Sequence, residues 1–236
     1  MDPKPLPRAF FDHLLLRVAF GIGLVLIAAN AIYILIADHV VTMPGLPGDI
    51  VRQMDLSREA NFGAWFSSSL LLLNSLYAYT QMCHQRLSDH RAAMSYGFLS
   101  AGFMLLSIDE IIQFHEFLEK NAKRLFASNG IESALIKYTG ILFTLALALT
   151  LLVLLFGSLH KFVRRENFHF LIYSIASVFI AVLAESIYRY AGCHYLSRYF
   201  RLEILFEEGG ELMAILFFLA FQQREIMHHE RAGNGF

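Results

Sequence analysis

The chain has 236 residues, of which 56% are hydrophobic and 17% are charged, and its mean hydropathy is +0.50. Soluble domains carry about a quarter charged residues, so this composition excludes an ordinary soluble domain and indicates an integral membrane protein. The net charge of -1 provides no basic surface for nucleic acid, which we exclude as a partner. The length fits one domain, and we expect residues 1–236 to form a single transmembrane helical domain.

Six mainly apolar stretches follow one another along the chain. About 20 apolar residues are needed to cross ~30 Å of hydrocarbon, and a segment in lipid must satisfy its own backbone hydrogen bonds, so it forms a helix. The predicted spans are residues 13–37, 62–82, 92–107 with an acidic helical continuation, 134–159, 168–191 and 202–221. The sequence therefore predicts an all-α bundle of about six transmembrane helices in the lipid bilayer.

The connections between these spans predict the orientation. With an even number of spans, both termini and the short connections 83–91 and 160–167 share one side, which holds ten of the 19 Lys and Arg residues. The nine others belong to the opposite side, where the loops are longer. Because the positive-inside rule depends on the short loops, we expect both termini on the cytoplasmic side of a bacterial inner membrane.

The acidic residues are divided much less evenly, since fourteen of the 20 Asp and Glu residues fall on the outer side. Several of them lie near the ends of predicted helices rather than in loops. The candidate metal ligands, which come from four helices, are Glu59, Asp109, Glu110, His115, Glu116, Glu185, Glu207, Glu208 and Glu211. An up-and-down bundle would bring these side chains to similar depth in its outer half, and we expect an apolar inner half.

Helix periodicity refines the expected arrangement on the third helix. At ~100° per residue, an unbroken helix would place Asp109 and Glu116 two turns apart on one face. Glu110 and His115 would then flank them on either side.

The start of the sixth helix has its own pattern. Glu207 and Glu211 are one turn apart and share a face, and Glu208 lies close to that face. Gly209 and Gly210 stand between them. Glycine lets a neighbouring backbone approach closely in a membrane bundle, so the sequence predicts tight packing where these carboxylates point inward.

Grouped carboxylates inside a membrane need compensating charge. Burying one ionised carboxylate costs several kcal/mol, and repulsion between like charges adds to that cost. Metal ions offset it well, and carboxylates with one imidazole suit iron, manganese, zinc or calcium. Di-iron and di-manganese bundles use Glu-x-x-His on two helices, whereas Ile112 stands three residues before His115. The pattern therefore predicts a metal site without specifying its nuclearity.

Arginine pairing is the competing interpretation of the same acids. Arg189 follows Glu185 by one turn and would form a structural salt bridge without metal. Glu119 and Glu203 read as ordinary interfacial charges. Arg58, Arg198 and Arg201 are the other available cations. The hydroxyls of Ser67-Ser68-Ser69 are interpreted as packing or backbone hydrogen-bonding groups, not as nucleophiles.

Four segments together form a recognisable combination. They are Asp55-Leu-Ser-Arg-Glu59 before Trp65-Phe-Ser, Ser107-Ile-Asp-Glu110 with His115-Glu116, the lone Glu185, and Glu207-Glu-Gly-Gly-Glu-Leu-Met213. With these SxDE…HE and EExxE motifs, the chain resembles a set of uncharacterised bacterial multi-pass membrane proteins over residues 55–213. The resemblance implies that the acids of four helices belong to one pattern, and it implies no activity.

Three hypotheses about function follow. The first is a membrane metalloprotein, with an oxidoreductase or hydrolase acting on a lipid or quinone-like substrate as the enzyme class in view. The second is an ion or proton transporter that uses the acids as a relay, which would require acids at several depths. The third is a non-catalytic subunit of a homo-oligomer or larger membrane complex. No pattern in the sequence assigns catalytic residues.

Overall fold

The computed structural model describes residues 8–40, 61–86, 89–113, 117, 121, 165–191 and 197–233. In this part of the chain the regular elements are α1 (Arg8–Val40), α2 (Phe62–Gln85), α3 (His90–Ile112), α4 (Phe168–Ala191) and α5 (Ser197–Gly233). The prediction of an all-helical chain is therefore confirmed for the described residues. The predicted span 134–159 lies outside them.

Three of these helices are long and apolar enough to cross a membrane, namely Leu14–Leu35 with 22 residues, His90–Ile112 with 23 and Phe168–Ile187 with 20. They identify a membrane protein by length and composition. Helices α2 and α5 form where spans were predicted, but they interleave apolar residues with buried polar ones such as Asn74 and Gln222.

Two helix boundaries differ from the sequence prediction. α5 continues to Gly233 instead of ending at residue 221. α3 ends at Ile112, because Gln113 adopts the left-handed conformation with φ 56° and ψ 41° and its N–H donates to the Asp109 carbonyl. The prediction of an unbroken helix that aligns Asp109 with Glu116 is therefore wrong, because the chain leaves helical geometry at Gln113, three residues before Glu116.

α2 and α3 form an antiparallel pair that is joined by hydroxyl groups. The Ser68 hydroxyl lies 3.0 Å from the Ser107 hydroxyl, and each also donates to the other residue's backbone carbonyl at 2.9 Å. Two turns along α2, the Ser75 hydroxyl donates to the Ser100 carbonyl at 2.8 Å and lies 3.2 Å from the Ser100 hydroxyl. Small hydroxyl residues let two helices approach and hydrogen-bond within an apolar bundle. The interpretation of Ser68 as a packing residue is confirmed.

α4 and α5 form the second antiparallel pair. The Ser174 hydroxyl donates to the Ala214 carbonyl at 2.9 Å. Further toward the start of α5, Gly210 packs directly on the α4 backbone, where a Cβ would meet the Ser177 carbonyl oxygen at 3.0 Å and the Ala181 Cβ at 3.1 Å. The predicted close approach at the Gly-Gly step is therefore confirmed for Gly210.

α5 contacts α2 of the first pair as well as its own partner α4, and α1 also packs against it. Phe20 of α1 packs edge-on against Phe217, and Ile27 lies beside Gly209. Since a later residue of α1 meets an earlier residue of α5, these two helices are antiparallel. One apolar core joins α1, α2 and α5, and it consists of Ala19, Leu70, Leu212, Leu216 and Leu219. A second apolar core joins the four helices α2, α3, α4 and α5, and it consists of Ala78, Tyr96, Leu99, Leu171, Phe218 and Phe221.

α2 and α5 run parallel and are held by an amide pair between the two cores. The Asn74 side-chain amide donates to the Ile215 carbonyl at 3.2 Å. The Gln222 amide donates to the Asn74 side-chain oxygen and to its backbone carbonyl, both at 3.1 Å. Asn74 and Gln222 are both fully buried. In an apolar interior each such bond is costly to leave unmade, so the pair sets the register of α2 on α5.

The inner half of the bundle contains more than apolar side chains, and the expectation of an apolar inner half is wrong. Gln81, Gln222 and Glu225 are 0%, 0% and 2% exposed. The Asn167 amide, at the start of α4, donates to the Glu225 carboxylate. The predicted spans leave Asn167 in the connection 160–167 and Gln222 and Glu225 beyond residue 221, because the sequence does not reveal that α5 extends past residue 221 inside the bundle. Gln81 lies within the predicted span 62–82, and its burial as a polar residue was not expected.

The Gly-Gly step provides a matched test of the α4–α5 contact. Gly210→Ala should lower stability by about 1–3 kcal/mol, because the added methyl meets backbone atoms that cannot move separately. Gly209→Ala should be neutral or slightly stabilising, since its Cβ would meet only Ile27 at 3.8 Å and alanine favours helix. Thermal unfolding in detergent measures both. Equal melting temperatures for the two variants would contradict the packing described.

Candidate functional site: the outer glutamate cluster

The structure describes the side chains of six of the nine predicted metal ligands. They are Asp109, Glu110, Glu185, Glu207, Glu208 and Glu211. The other three, Glu59, His115 and Glu116, lie outside the described residues. Only part of the predicted four-helix site can therefore be compared with the geometry.

Glu207 on α5 stands among three other glutamates. It lies within electrostatic range of Glu203 and Glu211 on its own helix and of Glu185 on α4, and its side chain is hydrogen-bonded to that of Glu203. We call these four residues the outer glutamate cluster. The structure thus brings together predicted ligands from two helices.

The local fold explains why these carboxyls meet. Glu203, Glu207 and Glu211 are spaced by four residues, so successive turns of α5 present them on one face. Gly210 brings the α4 backbone close to that face. Because α4 runs antiparallel to α5, its outer part, with Glu185, lies beside the start of α5.

Glu203 is the residue that the sequence interpretation missed. It had been read as an ordinary interfacial charge, whereas its side chain is hydrogen-bonded to Glu207. The four-residue spacing to Glu207 was the available signal. Glu203 lies at the start of the predicted span 202–221, where charged residues are common, so the spacing alone does not distinguish it from an interfacial charge.

The Glu203–Glu207 contact constrains the chemistry of the cluster. An ionised carboxylate can only accept hydrogen bonds, so two carboxyl groups bond directly only when one of them holds a proton. A metal ion bound between them would replace that proton and join the two oxygens through positive charge. The cluster is therefore suited to binding a cation, either a proton or a metal ion.

The described acids of α3 do not complete a ligand set. Asp109 and Glu110 are half-buried near the end of α3, and the Asp109 carbonyl accepts the N–H of Gln113 at 2.6 Å. Among the described residues, no group of three or more His, Cys, Asp or Glu side chains is placed to hold a metal ion. A complete site would need ligands from Glu59, His115 or Glu116, beyond the part of the chain that is described.

An apolar groove lies between α1 and α2. It has a volume of about 370 Å³ and is lined by Ile22, Leu26, Phe62, Trp65, Phe66 and Ser69. The Ser69 hydroxyl donates to the Trp65 carbonyl at 2.8 Å, so the groove presents mainly hydrocarbon. Ile27, next to the groove on α1, contacts Gly209, which sets the groove at the depth of the acids on α5.

Apolar helices of spanning length, packed around α5 with carboxyls grouped where α4 meets α5, define a helical membrane protein. The chain belongs to the family described as Domain of unknown function (DUF8692), whose family model matches residues 19–224. The match extends from within α1 to within α5 and so includes the outer glutamate cluster. No curated protein and no solved structure matches the chain.

The electrostatics of the cluster can be tested on Glu207. Glu207→Gln should leave the melting temperature in chelator unchanged or raise it. The glutamine amide can still donate to Glu203, as a protonated Glu207 does. Unlike an ionised Glu207, it forms no like-charge pair with Glu185 or Glu211, each worth about 0.2–0.5 kcal/mol. Thermal unfolding in detergent measures the effect. Glu166→Gln, at an exposed acid just before α4, should change nothing. A clear loss of stability in Glu207→Gln alone would contradict the description and would favour an arginine partner.

Proposed function

We propose that the protein is a membrane metalloprotein whose carboxylate and histidine ligands bind iron, manganese, zinc or calcium in the outer half of the bundle. The single observation behind this proposal is that Glu185 of α4 and Glu203 and Glu211 of α5 all lie within electrostatic range of Glu207. Four like-charged groups within a membrane bundle are unfavourable without a cation.

The donor set suits a hard or borderline metal ion. Carboxylate oxygens favour such ions, and a single imidazole adds affinity for iron, manganese or zinc. In this proposal Glu207, Glu211 and Glu185 provide the first oxygens. Asp109, Glu110, Glu208 and the undescribed Glu59, His115 and Glu116 provide the remaining ligands. The bound ion would act as a Lewis acid or activate a water molecule.

We also propose the full topology of about six spans in a bacterial inner membrane, with α2, α5 and residues 134–159 as spans in addition to the three apolar helices. Antiparallel packing of α1 on α5 supports placing both termini on one side, since the start of α1 then lies near the end of α5. The basic connections make that side cytoplasmic.

A lipid or quinone-like substrate is the class that fits an enzyme of this kind. The groove between α1 and α2 supports this substrate class, because a hydrocarbon-lined groove with a volume of about 370 Å³ accommodates part of an apolar chain. Two of its residues, Phe62 and Trp65, are 62% and 67% exposed. A ligand could therefore enter from the bilayer at the depth of the acids.

Elemental analysis of protein purified in detergent tests the metal proposal. We expect at least about half an equivalent of one metal per chain in the wild type, and a loss of most of it in Glu207→Gln/Glu211→Gln. The matched variant Glu166→Gln should retain the wild-type content. The proposal would be wrong if wild-type protein, purified without chelator and then supplied with each ion, contained no stoichiometric metal. It would also be wrong if the double variant kept the wild-type metal content.

Cation or proton transport is the second candidate. It requires ionisable groups at several depths, and Glu225 now supplies one at the end of the bundle opposite to the outer glutamate cluster, where it is 2% exposed. Proteoliposomes loaded with a pH-sensitive dye should then show flux in the wild type and at least a tenfold slower flux in Glu225→Gln. Wild-type vesicles no faster than protein-free vesicles would rule this function out.

A further inference from the structure

A second polar region lies in the inner half, remote from the outer glutamate cluster. It consists of Gln81 on α2, Tyr96 on α3, Asn167 before α4, and Gln222 and Glu225 on α5, and we call it the inner polar site. All five residues are at most 2% exposed. Asn167 donates to Glu225, and Tyr96 lies within electrostatic range of the same carboxylate. Four segments of the chain therefore contribute polar groups to one interior region.

Helix geometry brings Gln81 to this region. Asn74 faces α5, because its amide donates to the Ile215 carbonyl and its oxygen accepts from Gln222. Gln81 follows Asn74 by two turns and so lies on the same face of α2. Because α2 and α5 run parallel, a step of two turns inward along α2 reaches the depth of Glu225.

Three side-chain amide atoms at this depth lack hydrogen-bond partners. Neither the side-chain nitrogen nor the oxygen of Gln81 has a hydrogen bond, and the Gln222 oxygen has none either, although both residues are 0% exposed. Almost every buried polar atom in a native protein has a protein or water partner, and leaving one without is costly. Three such atoms at the depth of the buried Glu225 carboxylate therefore point to a bound polar species.

The charges and donor atoms at the site narrow its chemistry. Two amide oxygens and one carboxylate provide neutral oxygens and a single negative charge, which suits a hard monovalent cation and not a soft metal ion. A proton on Glu225 would neutralise the charge but would leave the oxygens of Gln81 and Gln222 without partners. A cation with one bound water would satisfy both oxygens, and the water would accept the hydrogen bond from the Gln81 nitrogen.

We infer that the inner polar site binds a sodium-like monovalent cation between α2 and α5. The inference does not rest on the outer metal site, because the two regions share no residue. It adds a ligand of a different chemical class to the protein, held by Gln81, Gln222 and Glu225. Asn167 positions the carboxylate through its hydrogen bond.

Thermal unfolding of the full chain in detergent, with sodium chloride titrated at constant ionic strength against choline chloride, tests this site. Because a ligand that binds only the folded state stabilises it in proportion to the logarithm of its excess concentration, the wild-type melting temperature should rise with sodium. Gln222→Leu and Glu225→Gln should need at least about tenfold more sodium for the same rise. Binding of radioactive sodium to immobilised protein should fall in parallel.

Thr80→Val is the control, since Thr80 is adjacent to Gln81 but its hydroxyl donates to the Leu76 carbonyl on its own helix. It should keep the wild-type sodium dependence. If Gln222→Leu does not fold, Gln81→Met and Glu225→Gln carry the test. A wild-type melting temperature that is equal in sodium and in choline, without sodium binding, would mean that water alone fills the site and would overturn the inference. Undiminished sodium dependence in the folded variants would overturn it as well.

Discussion

The cost of burying polar groups in an apolar bundle is the constraint on which this structure depends. Many of these groups belong to α5. This helix packs against α1, α2 and α4 while holding carboxyls near its start, an amide at Gln222 and a carboxylate at Glu225. Each group needs a partner inside the protein. The serine pairs of α2 and α3, the Asn74–Gln222 pair and the Asn167–Glu225 bond provide such partners and thereby fix which helices become neighbours.

Where partners are missing or similarly charged, the same constraint indicates function. Around Glu207 the neighbours are other glutamates, so the compensating charge must come from a proton, a metal ion or a cationic side chain. In the inner polar site, both side-chain amide atoms of Gln81 and the side-chain oxygen of Gln222 have no hydrogen bond, which is the basis for the cation inferred there. The two regions lie at opposite ends of α5, separated by the apolar residues from Leu212 to Phe221.

Hydrophobic run length was sufficient to predict the helices, because lipid permits little else; the prediction for α4 matches both its ends. The site was harder to predict. Gly210 and the spacing of Glu207 and Glu211 were readable from periodicity, but Gln113 ends α3 through its own left-handed backbone, which no turn residue signalled. The burial of Gln81 and Glu225 could not be predicted from the sequence. It depends on how far α5 extends and on which helices pack against this part of the bundle, and neither is a local property of the chain.

The central claim is that the outer glutamate cluster is a metal site. An experimental structure of the metal-loaded protein, with anomalous scattering recorded at the absorption edge of the bound element, tests it most directly. The account predicts an anomalous peak bonded to carboxylate oxygens of Glu207 and of at least one of Glu185 and Glu211. Carboxylates paired with arginine side chains, without an anomalous peak among them, would contradict it.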